Sequence, residues 1–307
     1  MSARRGADAF SFQLMVALCM TWGLQQVAIK LAAADIAPVM QASARSGIAA
    51  LLVALLMFWR GGWEGLRQGT VPAGLLAGVL FALEFLLIAL GLERTTAGHI
   101  AVFLYTSPIF SALGLHLLLP SERLHRIQWM GIGLCFVGIA VAFGGGISLA
   151  DMDSRMLLGD AFGLLAGMAW GATTVVVRAS KLSEAPPSLT LFYQLAAAFV
   201  LLLLIAGVNG QITHVALTPV AVGSVLFQGV VVSFVSYLIW FWLLRRYLAS
   251  NLAVFSFMTP LFGVTLGVLI LDEPLSLNFV GGAVLVLLGI TLVSGEAWFR
   301  RWLAGRR

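Results

Sequence analysis

Residues 71–92 read VPAGLLAGVLFALEFLLIALGL, an apolar run in which the charged residue is Glu84. A helix of this length rises about 33 Å at 1.5 Å per residue, enough to cross the hydrocarbon core of a lipid bilayer. The whole chain is similar, because 61% of its 307 residues are hydrophobic, 10% are charged and the mean hydropathy is +1.01. A water-soluble protein needs a polar surface, so this composition excludes soluble enzymes and predicts an integral membrane protein.

Ten apolar stretches are long enough to be membrane-spanning helices. We predict them near 11–32, 39–59, 71–92, 97–118, 126–146, 157–179, 188–207, 219–244, 250–271 and 277–298. The loops between them are short and leave no room for a soluble catalytic domain. The first stretch could instead be a signal peptide, because Arg4 and Arg5 precede it. Its apolar run is interrupted by Gln25, Gln26 and Lys30, which favours a packed helix.

The basic residues predict how the chain is oriented in the membrane. Fourteen Lys and Arg residues fall on the side that holds both termini, and three, Lys30, Arg94 and Arg155, fall on the other. Because cytoplasmic loops retain Lys and Arg, both termini should be cytoplasmic, in a multi-pass protein of the inner (plasma) membrane. The net charge of +5 therefore indicates topology and not a nucleic-acid partner.

Two sequence elements occur twice in the chain. The element W-G-x6-K at 22–30 recurs as W-G-x6-R at 170–178, an offset of 148 residues. The element A-V-F-x3-S-P at 101–108 recurs as A-V-F-x3-T-P at 253–260, an offset of 152 residues. Matches in the same order at nearly the same offset indicate an internal duplication.

The duplication divides the chain into residues 1–150 and 151–307, each with five predicted spans. Because five is an odd number, the second copy must enter the membrane in the opposite sense to the first. The predicted fold is therefore an all-α integral membrane protein with ten transmembrane helices as two inverted five-helix repeats. In transporters with inverted repeats, the substrate site lies near the membrane midplane where the repeats meet.

The repeated elements and the ten-span count resemble the EamA-type members of the drug/metabolite transporter superfamily. The resemblance covers both halves of the chain. It implies a carrier, and not an enzyme, that exports amino acids, among them aromatic ones, or other small metabolites. The chain departs from the family pattern at Glu84, where an apolar or aromatic residue is expected.

Two opposite charges lie inside the predicted spans. By helical rise, Arg45 is about 9 Å and Glu84 about 12 Å from the outer ends of the second and third spans. An ionisable group at this depth needs a partner or a water-filled cavity. The two residues could form a structural ion pair, or they could bind the substrate, with Glu84 also acting as a coupling group that takes up a proton. The matching positions in the second half are Gln194 and Ser236, and this asymmetry slightly favours function over packing.

Polar and aromatic side chains near these charges complete the candidate site. A mixed aromatic and polar wall suits a substrate with an apolar body and a charged end, such as a neutral or aromatic amino acid. The alternative is that the aromatic rings only pack in the helix bundle or face lipid. The predicted substrate-binding residues are Gln25, Arg45, Phe81, Glu84, Phe85, Tyr105, Trp170, Tyr237, Trp240 and Phe255.

Pro108 and Pro260 lie at matching positions in the fourth and ninth spans. A proline inside a helix removes one backbone hydrogen bond and bends the helix. We predict that these two bends take part in gating, and static kinks are the alternative.

Other classes of membrane protein fit the sequence less well. No nucleotide-binding loop, dinucleotide fingerprint or zinc-spaced His and Cys cluster is present, so the chain is predicted to use no cofactor and to depend on a gradient. A membrane-embedded enzyme could use Glu84, His99 and His116 as acid and base, and a channel would need a polar lining along its full depth. The favoured function is a carrier that works by alternating access, whose partners are the lipid bilayer and a small-molecule substrate, an amino acid foremost. The sequence leaves its oligomeric state open.

Overall fold

The computed structural model describes residues 8–118, 126–144, 154–213, 215–247, 255–256, 258–275 and 277–304. Over these residues the protein consists of α-helices, short 3-10 turns and one π-helical segment, and they include no β-strand. The α-helices are α1 (Ala9–Leu31), α2 (Pro38–Arg60), α3 (Val71–Leu92), α4 (Ala97–Leu104), α5 (Ser107–Leu118), α6 (Arg126–Gly144), α7 (Ser154–Arg178), α8 (Pro187–Val208), α9 (Pro219–Leu226), α10 (Tyr237–Arg246), α11 (Met258–Leu271) and α12 (Leu277–Ala304). The π-helical segment, Phe227–Ser236, joins α9 to α10 directly.

Seven helical stretches of the described chain are long and apolar enough to cross a membrane. They are Ala9–Leu31, Pro38–Arg60, Val71–Leu92, Ala97–Leu118, Ser154–Arg178, Pro187–Val208 and Pro219–Trp240. Three shorter apolar helices, Trp129–Gly138, Met258–Leu271 and Leu277–Gly289, coincide with the other three predicted spans. The protein is thus an all-helical, multi-pass membrane protein, and the arrangement of ten spans as two inverted repeats stays a prediction.

Local sequence signals explain where several helices begin. Pro38 and Pro187 are the first residues of α2 and α8, where a missing N–H breaks no helical hydrogen bond. Asp8 caps α1 by accepting the backbone N–H of Ser11 at 2.7 Å, and this hydrogen bond holds the pKa of Asp8 below its ordinary value. The hydroxyl of Tyr247 donates to the same carboxylate at 3.0 Å and ties the start of α1 to the end of α10.

Pro108 lies in the first turn of a helix, which corrects the prediction that it bends a continuous helix. The fourth predicted span consists of α4 and α5, separated by Tyr105 and Thr106, and Pro108 is the second residue of α5. Pro260 lies in α11 close to residue 257, which is outside the described residues, so the bend predicted at Pro260 stays a prediction. A first-turn proline removes no helical hydrogen bond, so the chain breaks before Pro108 where a bend was expected. The Thr106 hydroxyl satisfies the end of α4 by donating to the Phe103 carbonyl at 2.6 Å.

The two halves of the chain pack mainly against each other. α6 lies along α12, α3 along α7 and α8, α2 along α8, and α1 along α11. Each pair joins a helix from residues 1–150 to a helix from residues 151–307. Small residues permit this close approach, because a Cβ at Gly167 of α7 would lie 2.8 Å from Thr106 Oγ1 and 2.9 Å from the Phe103 carbonyl oxygen. The core of the protein is therefore the interface between its halves.

Candidate functional site

Arg45 lies in the middle of α2 and is completely buried, with 0% of its surface exposed. None of its three guanidinium nitrogens has a hydrogen-bond partner within 3.5 Å in the described chain, and the Tyr237 phenol interacts with the guanidinium over a longer distance. The guanidinium carbon lies 3.7 Å from the centroid of the Phe85 ring, a cation–π contact with α3. A buried charge without a close hydrogen-bonded partner destabilises a folded protein, which makes Arg45 a candidate position for a ligand or a moving counter-charge.

Glu84 faces the same region from α3, one residue before Phe85. It is 5% exposed, and its Oε2 atom has no hydrogen-bond partner among the described residues. Arg45 and Glu84 interact electrostatically. Their charged atoms do not, however, come within 4.0 Å of each other, the distance that defines the ion pairs of the described chain. Arg45 and Glu84 are therefore neighbouring ionisable residues without being a direct ion pair.

Two tyrosines lie beside these charges. Tyr237, the first residue of α10, is an electrostatic neighbour of both Arg45 and Glu84. Tyr105 neighbours Glu84 and Tyr237, and its ring packs edge-to-face on Trp170 with the centroids 5.4 Å apart. Tyr105 lies in the break between α4 and α5, and Tyr237 follows the π-helical segment. Each irregular stretch of backbone thus places one phenol at the centre of the protein.

Further buried polar atoms lack a partner within the described part of the chain, and their residues are outside the predicted substrate-binding set. They include Gln26 Oε1, Ser233 Oγ and Thr259 Oγ1. The Thr259 hydroxyl has no partner within 3.5 Å but interacts with the Tyr105 hydroxyl, and Ser233 belongs to the π-helical segment one turn before Tyr237. Because nearly all buried polar atoms in folded proteins are hydrogen-bonded, a cluster of exceptions marks a site for water or a ligand. The sequence feature that could have identified Thr259 is its position in the repeated element, directly before Pro260.

The aromatic residues at the centre belong to one hydrophobic cluster. It contains Phe81, Phe85, Tyr105, Trp170 and Tyr237. The Phe81 and Phe85 rings lie 4.8 Å apart, and Phe85 carries the guanidinium of Arg45 on its face. The structure therefore brings five of the seven predicted aromatic residues together around the two charges.

Two of the remaining predicted residues lie elsewhere. Trp240 and Phe255 pack in a separate cluster with the first half of α1 and the end of α10. Trp240 lies edge-to-face on Trp22 at 5.7 Å, and Phe255 lies edge-to-face on Phe12 at 5.3 Å. Gln25 is buried on α1, where the adjacent Gln26 carries the unpartnered oxygen.

A mostly apolar cleft of about 640 Å³ lies between α1, α2, α8 and α10. Its lining includes Leu14, Leu56, Arg60, Leu238, Ile239 and Trp242. Arg60 ends α2, so the cleft is on the side that is predicted to be cytoplasmic. Leu238 and Ile239 directly follow Tyr237 in α10, and the cleft therefore adjoins the helix that contributes Tyr237 to the centre.

The groups at the centre can bind a small charged molecule. They are one guanidinium, one carboxylate, two phenols and the Ser233 and Thr259 hydroxyls. Among the described residues, no group of three or more His, Cys, Asp or Glu side chains is arranged to hold a metal ion. These polar groups and the aromatic cluster beside them suit a ligand that has charged ends and an apolar body.

Sequence comparisons identify the family. The profile of the EamA-like transporter family matches residues 10–144 and, a second time, residues 157–295. The chain belongs to the EamA-like transporter family. The resemblance predicted from the repeated elements is thereby confirmed, and this EamA-like protein is a membrane transporter of the drug/metabolite transporter superfamily.

Relatives of this EamA-like transporter carry names that indicate a transporter rather than an enzyme. The Bacillus subtilis (strain 168) protein named "Uncharacterized transporter YoaV" is 25% identical over 279 residues, which cover 90% of this chain and 94% of the relative. The Escherichia coli (strain K12) protein named "Probable amino-acid metabolite efflux pump" is 28% identical over 302 residues, which cover 93% and 95%. A solved crystal structure of a protein covers 96% of this chain and 99% of its own at a TM-score of 0.64 and 17% identity, which shows a shared fold.

Proposed function

We propose that this EamA-like transporter exports small zwitterionic metabolites, neutral and aromatic amino acids foremost. It works by alternating access in the inner (plasma) membrane, with both termini in the cytoplasm and two inverted five-helix repeats around the site. The observation that carries the proposal is Arg45, which is fully buried and has three unpartnered guanidinium nitrogens close to Glu84.

A substrate carboxylate is the group that suits Arg45. The planar guanidinium can donate two parallel hydrogen bonds to a carboxylate, and such charge-assisted bonds are the strong ones in a protein interior. Glu84 presents the opposite charge nearby and has an unpartnered oxygen for an ammonium group. An amino acid carries both charges on neighbouring atoms, so it can bind Arg45 and Glu84 at once.

The aromatic cluster suits the apolar part of the substrate. Phe81, Tyr105, Trp170 and Tyr237 offer ring faces and edges beside the charges, and ring contacts favour aromatic side chains. The name of the Escherichia coli relative, an amino-acid metabolite efflux pump, supports this substrate class and the outward direction.

Glu84 is also the proposed coupling group. Its carboxylate can hold either the substrate ammonium or a proton, because both bind the same oxygen. A proton that enters from outside would then displace the substrate, and export would be coupled to proton entry.

Pro108 and Pro260 are the proposed gating residues. Pro108 is the second residue of α5, three residues after Tyr105, and Pro260 directly follows Thr259 in α11. A movement of either helix therefore changes the centre of the protein.

Counterflow of labelled substrate in proteoliposomes tests the proposed function. Phenylalanine, phenethylamine and 3-phenylpropionate share one ring, and the last two each lack one charge. We expect saturable counterflow with phenylalanine and inhibition at least about tenfold weaker by the two single-charge analogues, since a missing partner leaves a buried charge unpaired. Equal inhibition by nucleosides or cationic dyes would instead favour a broad efflux carrier, and flux without saturation or counterflow would favour a channel.

A further inference from the structure

We infer that a polar lock between the halves closes the end of the carrier opposite the cleft. The lock consists of Lys30 and Glu273 in one part and Thr95, His99 and Asp160 in the other. It rests on the proposed alternating access, but it does not depend on the identity of the substrate.

Glu273 is the centre of the first part. Its side chain is 8% exposed, and its carboxylate accepts a hydrogen bond from the Lys30 ammonium at 2.8 Å. It also accepts the backbone N–H groups of Ala97 at 2.8 Å and Gly98 at 3.3 Å, which are the first residues of α4. An anion at the start of a helix satisfies N–H groups that have no partner within the helix. Glu273 of the second half thus fastens α1 and α4 of the first half.

The backbone around Glu273 is shaped to receive its carboxylate. Asp272 has a φ of 53°, a left-handed conformation that is rare for residues other than glycine, and it turns the chain at the end of α11. A Cβ on Gly267 would collide with the Glu273 carboxylate. An alanine at position 267 would therefore displace Glu273 without removing any charge.

Asp160 is the centre of the second part. It is 4% exposed, accepts the Thr95 hydroxyl at 2.5 Å and contacts His99 Nδ1 at 2.9 Å. The His99 ring stacks on Phe279 of α12, with the centroids 3.8 Å apart. Asp160 belongs to α7, so this part also joins the second half to the first.

The two parts are connected through Thr95. The Lys30 ammonium donates to the Thr95 carbonyl at 2.8 Å, while the Thr95 hydroxyl donates to Asp160. Five side chains from α1, the α3–α4 turn, α4, α7 and the loop after α11 therefore form one connected network. The halves cannot separate at this end unless these charged contacts break. The cleft at the other end of α1, beside Leu14, already lies between the halves.

A cysteine reporter can show whether the lock controls access. In a background with Cys19→Ala and Cys135→Ala, the reporter is Gln26→Cys, because Gln26 is buried one helical turn from Lys30. A membrane-impermeant maleimide is added to intact cells and, separately, to inverted membrane vesicles. The lock variants are Glu273→Gln and Gly267→Ala, and thermal unfolding is measured for each.

Each lock variant has a matched control. Glu93→Gln removes the Glu93–Arg94 ion pair, which lies at the same end but within one half. Gly223→Ala adds a methyl group where no atom lies within 4 Å. We expect the two lock variants to raise external labelling of the reporter cysteine at least about tenfold, the effect of losing one charge-assisted hydrogen bond, and the controls to leave it unchanged.

The outcomes separate the lock from the other proposals. If labelling from both sides is unchanged in either folded lock variant, the network does not control access and only holds the two halves together. Faster labelling from the cytoplasmic side alone would keep the lock and overturn the predicted topology. Faster external labelling in a protein that shows no amino-acid counterflow would keep the lock while the proposed substrate class fails.

Discussion

Trp22 in the first half and Trp170 in the second occupy matching positions, and each contacts the opposite half of the chain. The Trp22 indole N–H donates to Ser236 Oγ at 2.9 Å, and Trp170 packs on the ring of Tyr105. The charges do not follow this symmetry. Arg45 and Glu84 have uncharged counterparts, at Gln194 and Ser236. The repeated tryptophans thus contact the opposite half, whereas the ionisable residues at the centre are not repeated.

The backbones of the matching third helices differ in the same way. α3 is a regular α-helix through Glu84, whereas the corresponding stretch of the second half, Phe227–Ser236, is π-helical. π-helical turns are often found at functional sites. Here the wider turn precedes Tyr237 and contains the unpartnered hydroxyl of Ser233. The first half thus contributes charge, and the second half contributes hydroxyl groups on an altered backbone.

The largest expected effect comes from Arg45→Met. This change removes a buried charge but keeps a similar side-chain volume, so we expect counterflow to fall at least about 100-fold while the melting temperature stays equal or rises. The control is Gln194→Met at the matching position of the second half, which we expect to retain transport. A large loss of stability in Arg45→Met would indicate that Arg45 holds the fold together. An equal loss of transport in both variants would indicate that Arg45 has no role that Gln194 lacks.

The sequence predicts the charges at the centre more readily than their neighbours. An ionisable residue in an apolar run is conspicuous, so Arg45 and Glu84 could be identified without a structure. Thr259 and Ser233 are small polar residues that often bond to their own helix, and their lack of a partner depends on tertiary packing. The helix break at Tyr105 was also missed, because hydropathy is the same for a bent helix and for two short ones.

Glu84→Gln tests whether the carboxylate couples transport to protons. We expect accumulation driven by a pH gradient to be lost and the KM for zwitterions in counterflow to rise about tenfold, since the amide keeps the shape but neither takes up a proton nor attracts an ammonium. Ser236→Ala at the matching position should leave pH-driven accumulation intact. A normal pH response in folded Glu84→Gln would remove the coupling role and leave Glu84 a binding residue.

Tyr237→Ala and Trp240→Ala compare the two aromatic clusters. Tyr237 lies beside Arg45 and Glu84, whereas Trp240 packs with Trp22 in the separate cluster. We expect Tyr237→Ala to weaken counterflow of phenylalanine about tenfold more than that of alanine, because lost ring contacts scale with area. Trp240→Ala should reduce both to the same degree, through packing. If both variants weakened counterflow of phenylalanine more than that of alanine to the same degree, both aromatic clusters would contact the substrate.

Pro108→Ala and Pro260→Ala test whether the matching prolines of the two halves take part in gating. Because Pro108 lies in the first turn of α5, we expect Pro108→Ala to change the stability by no more than about 1 kcal/mol and transport by about twofold. If the repeats are inverted, the two variants should shift cysteine labelling toward opposite sides of the membrane. Identical labelling patterns in both variants would rule out gating by the prolines.

The smallest expected effect concerns how the helices are capped. Thr96 and Thr218 cap α4 and α9 with hydroxyl groups, whereas Asp8 caps α1 with a carboxylate that titrates. The Ser11 N–H lowers the pKa of Asp8 in the folded protein, so the stability from this cap is present above the ordinary aspartate value of about 3.9 and is lost as the pH falls through the lowered pKa. Asp8→Asn should keep the cap without the titration. We therefore expect the melting temperature of the wild type to exceed that of Asp8→Asn at pH 6 and the difference to disappear toward pH 2, with Thr218→Ser showing no such convergence. A constant difference across this range would show that the Asp8 carboxylate does not contribute through its charge.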